Sequence, residues 1–295
     1  MGKAVASPAE RVLALPIWSG PVTPIRLDGG ITNVNYLVED AGRKVVVRVG
    51  ADIPAHQVMR FNELAASRAA HAAGISPRVI HAEAGALVLE FIEGRVLTPP
   101  EVRDPVRLPR ILDLVARAHR EIPRHLRGPV LAFWVFHVIR DYAARLAEEG
   151  SGHAPHLPVL LAAAERLEAA VGPIDLVFGH NDLLAANLID DGARLWLIDW
   201  DYAGFNSPLF DLGGLASMNA LDAAQEVWML ETYFQRPLDD QLGHRYRAMK
   251  CAALLRETMW SMISESHSTV NFDFAEYTAT NLAGFRAALT EFQRN

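Results

Sequence analysis

Between residues 180 and 201 the chain carries two carboxylates and a carboxamide whose spacing suits one kind of chemistry. His180-Asn181-Asp182-Leu183-Leu184-Ala185-Ala186-Asn187 is followed, after a short apolar stretch, by Ile198-Asp199-Trp200-Asp201. Leu188 to Ile198 reads as two strands around Asp191-Gly192, and Asp-Gly between hydrophobic runs is a strong hairpin signal. Asn187 then precedes the first strand and Asp199 follows the second, so both fall at the open end of the ribbon. Asp182 sits in the loop that feeds the same end. All three offer oxygen, and hard Mg²⁺ takes one or two carboxylates together with substrate phosphates. An Asp that orients a hydroxyl and accepts its proton, an Asn five residues on and a later Asp holding metal are the parts of a phosphoryl-transfer site.

A nucleotide needs a grip as well. Asp28-Gly29-Gly30-Ile31-Thr32-Asn33 lies just before a strand, where glycines let backbone N–H groups approach phosphate. Neither G-x-G-x-x-G nor a Walker A motif is present. Arg48 is the one cation among the apolar residues Val45 to Val49, and Glu63 lies on the helix that follows. A strand cation paired with a helix Glu can meet the α- and β-phosphates, and Arg adds a bidentate fork to the charge.

The elements that must hold these groups are of two kinds. Asn35 to Glu39, Lys44 to Val49, Val79 to His81 and Ala86 to Ile92 read as strands, with a helix from about Ala55 to Ala73 that Gly74 stops. The order β-β-α-β-β implies a small antiparallel sheet with one helix against it. After Glu93-Gly94 and the break at Pro99-Pro100 the chain turns helical, at Pro109 to Glu121, Ala132 to Glu149, Pro158 to Val171 and beyond Leu221, apart from the one hairpin. The expected fold class is α+β with two lobes: residues 1–92 a β-rich nucleotide-binding lobe, residues 93–295 a larger helical lobe carrying the catalytic loop and substrate pocket.

Composition removes other classes. The chain has 295 residues, 51% hydrophobic and 21% charged, enough to bury a core and too apolar for disorder. A net charge of −7 with scattered Lys and Arg argues against a nucleic-acid surface. The lone Cys251, in the apolar run Met249 to Leu255, excludes a disulfide framework and reads as a small buried hydrophobe. No apolar run reaches the ~18 residues of a membrane span, and the N-terminus lacks a basic-then-apolar leader, so a cytoplasmic protein is expected. His153 and His156 have no carboxylate between them and do not read as a metal pair, and His119 and His125 read as structural. No G-x-S-x-G elbow points to a hydrolase.

Together these stretches resemble the choline/ethanolamine kinase family, within the wider group of aminoglycoside-phosphotransferase-like kinases. The matching segments run from about Asp28 to Tyr277: Gly29 to Asn33, the Arg48 strand, Glu90-Phe91-Ile92-Glu93-Gly94, Gly179 to Asn187, Leu197 to Ala203 and Phe210-Asp211-Leu212. The resemblance implies a protein-kinase-like fold, ATP and Mg²⁺ as cofactors, and a small amino-alcohol as acceptor. It implies Asp182 as catalytic base, Asn187 and Asp199 as Mg²⁺ ligands, and Arg48 with Glu63 as the phosphate-binding pair. Gly29, Gly30, Ile31, Thr32 and Asn33 become the phosphate-covering loop, the backbone of Glu90 and Ile92 the adenine contact, and Asp211 a brace for the catalytic loop. On the acceptor side it implies Asp201, Trp260 and Tyr277, with cation–π attraction for an ammonium. Glu257 departs from the pattern, standing where many eukaryotic members carry a second Trp. A carboxylate there suits a primary ammonium better than a trimethylated one. Kinases of another hydroxylated amine, such as an aminoglycoside or thiamine, and a non-catalytic nucleotide-binding pseudokinase are the alternatives. The oligomeric state is left open.

Overall fold

The computed structural model describes residues 7–27, 33–268, 270 and 272–294. A short helix α1 (Pro8–Leu13), capped by Ser7, leads into strands β1 (Ile25–Leu27), β2 (Val34–Asp40) and β3 (Arg43–Val49), then helix α2 (Arg60–Ala72) and strands β4 (Val79–Glu83) and β5 (Ala86–Glu90). These strands form one antiparallel sheet in the order β1-β2-β3-β5-β4. The period-2 alternation of a strand sets its two faces. Val45 and Val47 on β3, Val38 on β2 and Val88 on β5 pack beneath Val12 and Leu15 of the N-terminal segment. Arg48 falls on the opposite face, paired in register with Leu87.

The chain continues through β6 (Arg95–Val96), α3 (Pro99–Val102), α4 (Arg107–His125), α5 (Val135–Glu148), α6 (Leu157–Val171), β7 (Val177–Gly179), β8 (Leu188–Asp190), β9 (Leu195–Leu197) and β10 (Gly204–Asn206). It ends in α7 (Pro208–Met218), α8 (Ala223–Phe234), α9 (Asp240–His267) and α10 (Phe274–Arg294). Helix α9 runs through the middle of the helical part against α5, α6, α7 and α10, and Cys251 is buried on it. Strands β8 and β9 are the expected hairpin, paired Leu188 to Leu197, with Gly192 in the left-handed region at φ 88°. The amide of Leu197 donates to the Ile75 carbonyl at 3.2 Å, and the Ser76 hydroxyl donates to the Leu197 carbonyl at 2.5 Å, fastening the hairpin below α2.

Three differences from the sequence expectation have local causes. Helix α2 begins at Arg60 rather than near Ala55, because Pro54–His56 forms a 3₁₀ turn and Gln57 turns left-handed at φ 59°. The Pro99-Pro100 break is also a helix start: Thr98 and Glu101 form a capping box, and Pro is tolerated at the first helical positions. Strands β1, β6, β7 and β10 are two or three residues long, too short for a periodic signal. Among the described residues no helix is long and apolar enough to cross a membrane.

Candidate functional site

The loop from His180 to Asn187 is pinned from three directions. Asp211, in the first turn of α7 and 2% exposed, accepts the backbone N–H of His180 at 2.8 Å and of Asn181 at 2.7 Å. His119 Nε2 lies 2.8 Å from the same carboxylate. Burial alone would raise the Asp211 carboxyl, but the His119 hydrogen bond and the His119 and His180 contacts outweigh it and hold it below its ordinary range. Asn181 is left-handed at φ 63°, a conformation Asn tolerates better than most residues. Its Nδ2 donates to the Tyr202 carbonyl at 2.9 Å and its Oδ1 accepts from Asn206 at 3.1 Å. His180 Nε2 donates to the Ile198 carbonyl at 2.8 Å, tying the loop to the end of β9.

Asp182, Asn187 and Asp199 converge as their spacing predicts. The Asn187 side-chain amide donates to the Asp182 backbone carbonyl at 2.8 Å and to its carboxylate at 3.2 Å. The Asn187 carbonyl accepts the Ile198 N–H at 3.0 Å, which sets Asn187 beside Asp199. Asp199 adopts φ 68°, so the chain turns sharply where β9 ends, and its carboxylate accepts from Arg48 at 2.8 Å. Burial raises the Asp182 carboxyl; the Glu257 and Asp199 charges add to this, while Arg256 and the Asn187 bond oppose it, and the result is a carboxyl pushed up to about 7. Such crowded carboxylate charge fits a divalent cation. The donors are all oxygens and number two carboxylates and an amide, which suits Mg²⁺ completed by phosphates. Among the described residues no group of three or more His, Cys, Asp and Glu forms a ready cage. His153 instead pairs with Glu265 at 2.9 Å.

Across the cleft, Arg48 and Glu63 pair at 2.8 Å, as expected. They are part of a larger network. Arg48 Nη2 also donates to Asp199 at 2.8 Å and to Asp201 at 3.1 Å. Arg60, which the sequence reading missed, donates to Glu63 at 2.6 Å and to Asp201 at 2.9 Å. Its three-residue spacing from Glu63 on one helix was the available signal. Asn33 Nδ2 donates to Asp201 at 3.0 Å. Asp201, expected on the acceptor side, thus stands among the phosphate-side cations. Pro77, Leu89 and Ile198, together with Ser67, Ser76 and Trp200, line a small cleft beside Arg48 and Asp199. The Glu90 N–H is committed to the Arg78 carbonyl at 2.9 Å, so only its own carbonyl could face a ligand; Ile92 follows it, half-buried. Gly29, Gly30, Ile31 and Thr32 lie outside the described residues.

The expected acceptor residues meet on α9 and α10. Trp260 Nε1 donates to the Tyr202 hydroxyl at 2.7 Å, and Trp260 and Tyr277 stand edge to face with centroids 6.5 Å apart. His56 covers Trp260 at 5.1 Å. The Tyr277 hydroxyl donates to Glu257 Oε1 at 2.8 Å, while Arg256 Nη1 donates to Glu257 Oε2 at 3.0 Å. Asp182, Arg256 and Glu257 line one cleft. Tyr202, His56 and Arg256 were not anticipated; Arg256, a cation next to Glu257 in an apolar helical run, could have been.

A small antiparallel sheet facing a helical body, with an Asp/Asn/Asp set on a hairpin at their junction, is the architecture of a kinase-like phosphotransferase. The model of the phosphotransferase enzyme family matches residues 23–257, and the chain belongs to that family. It is 28% identical over 282 residues to mouse ethanolamine kinase 2, covering 85% of this chain and 72% of that protein. It is 25% identical over 265 residues to the protein LicA of Haemophilus influenzae, covering 85% and 76%. The crystal structure of a choline/ethanolamine kinase family protein from Mesorhizobium loti superposes with a TM-score of 0.77 at 27% identity, covering 96% of this chain and 95% of that one. The resemblance read from the motifs and the two-lobed α+β fold are borne out, and the chain is an alcohol phosphotransferase.

Proposed function

We propose that this chain moves the γ-phosphoryl group of ATP to the hydroxyl of a small amino-alcohol of the ethanolamine or choline type. The observation that carries the reading is the convergence of Asp182, Asn187 and Asp199 at one end of the β8–β9 hairpin, opposite Arg48 and Glu63. Asp182 orients the acceptor hydroxyl and takes its proton. Asn187 through its oxygen, and Asp199, would hold Mg²⁺, which when bound supplies neutralisation of phosphate charge. Arg48, set by Glu63, receives the α- and β-phosphates, and Gly29 to Asn33 cover them. The Glu90 carbonyl and the Ile92 N–H meet the adenine. Trp260, Tyr277 and Glu257 form the acceptor side. Asp201 orients Arg48 and Arg60 rather than touching the acceptor. Catalysis of this kind is placement and charge stabilisation. The two lobes divide at residues 92 and 93, and a cytoplasm rich in ATP and Mg²⁺ suits the reaction.

The test is ADP release from Mg²⁺-ATP by the full chain, with and without small amino-alcohols. The expected result is release that depends on the amino-alcohol and falls about 10²–10⁴-fold in Asp182→Asn. Turnover unchanged by that substitution, with every accepted substrate, would contradict the assignment.

A further inference from the structure

Asn62, fully buried, stands one residue before Glu63 on α2. Its Nδ2 donates to the Ala203 carbonyl at 2.7 Å, and its Oδ1 accepts the Leu131 N–H at 2.9 Å. Both partners are backbone groups of the helical lobe. Ala203 closes the short segment that begins with Asp199 and contains Asp201. The Leu131 carbonyl accepts the Phe205 N–H at 3.0 Å, so Leu131 is itself held to β10. One buried carboxamide thereby joins α2, the strand-end carboxylates and β10, with both its nitrogen and its oxygen engaged.

The packing of α2 shows what this junction does. The helix precedes the connector in sequence, but its buried side chains do not share the core beneath the sheet. Ala66, Ala69 and Ala70 belong to one cluster with Ile111 and Val115 of α4, whereas, among the described residues, the cluster beneath the sheet draws on none of α2. The far end of α2 leads into the Ile75 and Ser76 bonds to Leu197. Arg48 reaches across from the sheet, so the Arg48–Glu63 pair joins two separately packed cores. Apolar contact through alanines is non-directional and tolerates a shift of the helix along or about its axis. Two aligned hydrogen bonds do not. Asn62 supplies them in the first turn of α2, beside the residues that must meet Arg48 and Asp201.

Resting on the phosphotransferase reading, we infer that Asn62 is a positioning residue for the nucleotide. It seats α2 against residues 199–203, so that Glu63 meets Arg48 and Arg60 meets Asp201 before any phosphate arrives. Asn62 touches no reacting atom. It acts through Glu63 and Arg60 on Arg48, the cation that receives the α- and β-phosphates. Without the carboxamide α2 shifts on its alanine face, and Arg48 loses the partners that aim it.

The experiment measures the Kd of Mg²⁺-ADP by calorimetry, and the KM of ethanolamine and of choline, in wild type, Asn62→Ala, Asn62→Asp, Glu63→Gln and the double variant Asn62→Ala/Glu63→Gln. Asn62→Asp keeps the shape and the Leu131 bond but sets an oxygen against the Ala203 carbonyl. Both Asn62 variants are expected to raise the nucleotide Kd about tenfold or more while the acceptor KM moves less than about threefold. In the Glu63→Gln background, where the pair is already lost, adding Asn62→Ala should change the Kd less than about threefold. Amide exchange in the wild-type chain decides even if the variants fail to fold. The amides from Glu63 to Ala70 are expected to exchange slowly without nucleotide and to change less than about threefold with saturating Mg²⁺-ADP. A Kd unmoved in a folded Asn62 variant, an equal rise in acceptor KM, an undiminished effect in Glu63→Gln, or α2 amides protected only with nucleotide overturns this inference alone. A wild-type chain that neither binds Mg²⁺-ADP nor transfers phosphate to either acceptor overturns the phosphotransferase reading and the inference with it.

Discussion

Arg48 on β3 and Asp199 at the end of β9 are hydrogen-bonded at 2.8 Å, so the nucleotide-side cation and the hairpin carboxylate touch across the cleft between sheet and hairpin. Arg48 is 7% exposed on its side chain and Asp199 is 25% exposed. The contact spans 151 residues of sequence and gathers Glu63, Arg60 and Asp201 around it. Burial opposes the Arg48 charge, but Asp199, Glu63 and Asp201 outweigh it and raise the guanidinium well above its ordinary value.

Arg48→Met therefore leaves three carboxylates crowded around an apolar side chain. The variant should lose roughly 3–5 kcal/mol of stability, the usual result of removing one partner from a buried ionic group. Urea unfolding measures this. In a double-mutant cycle with Asp199→Asn the two substitutions should be non-additive by about 0.5–3 kcal/mol. Additive losses would show that the contact carries no energy.

Asp211→Ala strips acceptors from the backbone N–H groups of His180 and Asn181 together. Each unsatisfied buried donor costs about 1–3 kcal/mol. The variant should melt lower than wild type and lose turnover although Asp211 touches no reacting atom. A conservative Asp211→Asn, which keeps one acceptor oxygen, should recover part of both. Gly179→Ala should act in the same direction, because a Cβ there would meet Asn181 Oδ1 at 2.9 Å and Asp211 Oδ2 at 3.1 Å.

The metal-free chain should show a specific pH signature at Asp182. Burial first, then neighbouring carboxylates, move this carboxyl from the ordinary 3.8 up to about 7. Within that window the folded chain holds a proton that the unfolded chain has released, so stability falls as pH rises through it. Asp182→Asn cannot ionise. Thermal melts in EDTA should find it more stable than wild type above about pH 7, by roughly 1–3 kcal/mol, with the gap closing toward about pH 4.

His56 works in the opposite direction. Burial, followed by the charges of Arg256, His267 and Arg145, lowers this imidazole from 6.5 to about 3. Between those values the unfolded chain binds the proton and the folded chain does not, so stability is lost as pH falls below 6.5. His56→Phe keeps an aromatic ring against Trp260 and removes the titration. Its stability should decline less than that of wild type between about pH 6.5 and 4, by roughly 1–3 kcal/mol.

The sequence made legible what depends on short, ordered patterns. The Asp191-Gly192 hairpin placed Asn187 and Asp199 together, and the lone cation in an apolar strand singled out Arg48. Asp201 went to the other side of the site because its position after the hairpin says nothing about which way a left-handed Asp199 turns the chain. Arg60 and Arg256 stayed hidden for a related reason. Their roles arise from partners on other elements, Asp201 for one and the Tyr202 ring for the other, and such pairings exist only once the helices are packed.

The most direct measurement follows the label of γ-labelled ATP in the presence of Mg²⁺ and an amino-alcohol panel. The account predicts label recovered as a phosphomonoester on the acceptor hydroxyl, in step with ADP, and lost about 10²–10⁴-fold in folded Asp182→Asn. Label recovered only as inorganic phosphate, or transfer to the acceptor that persists undiminished without the Asp182 carboxylate, would contradict it.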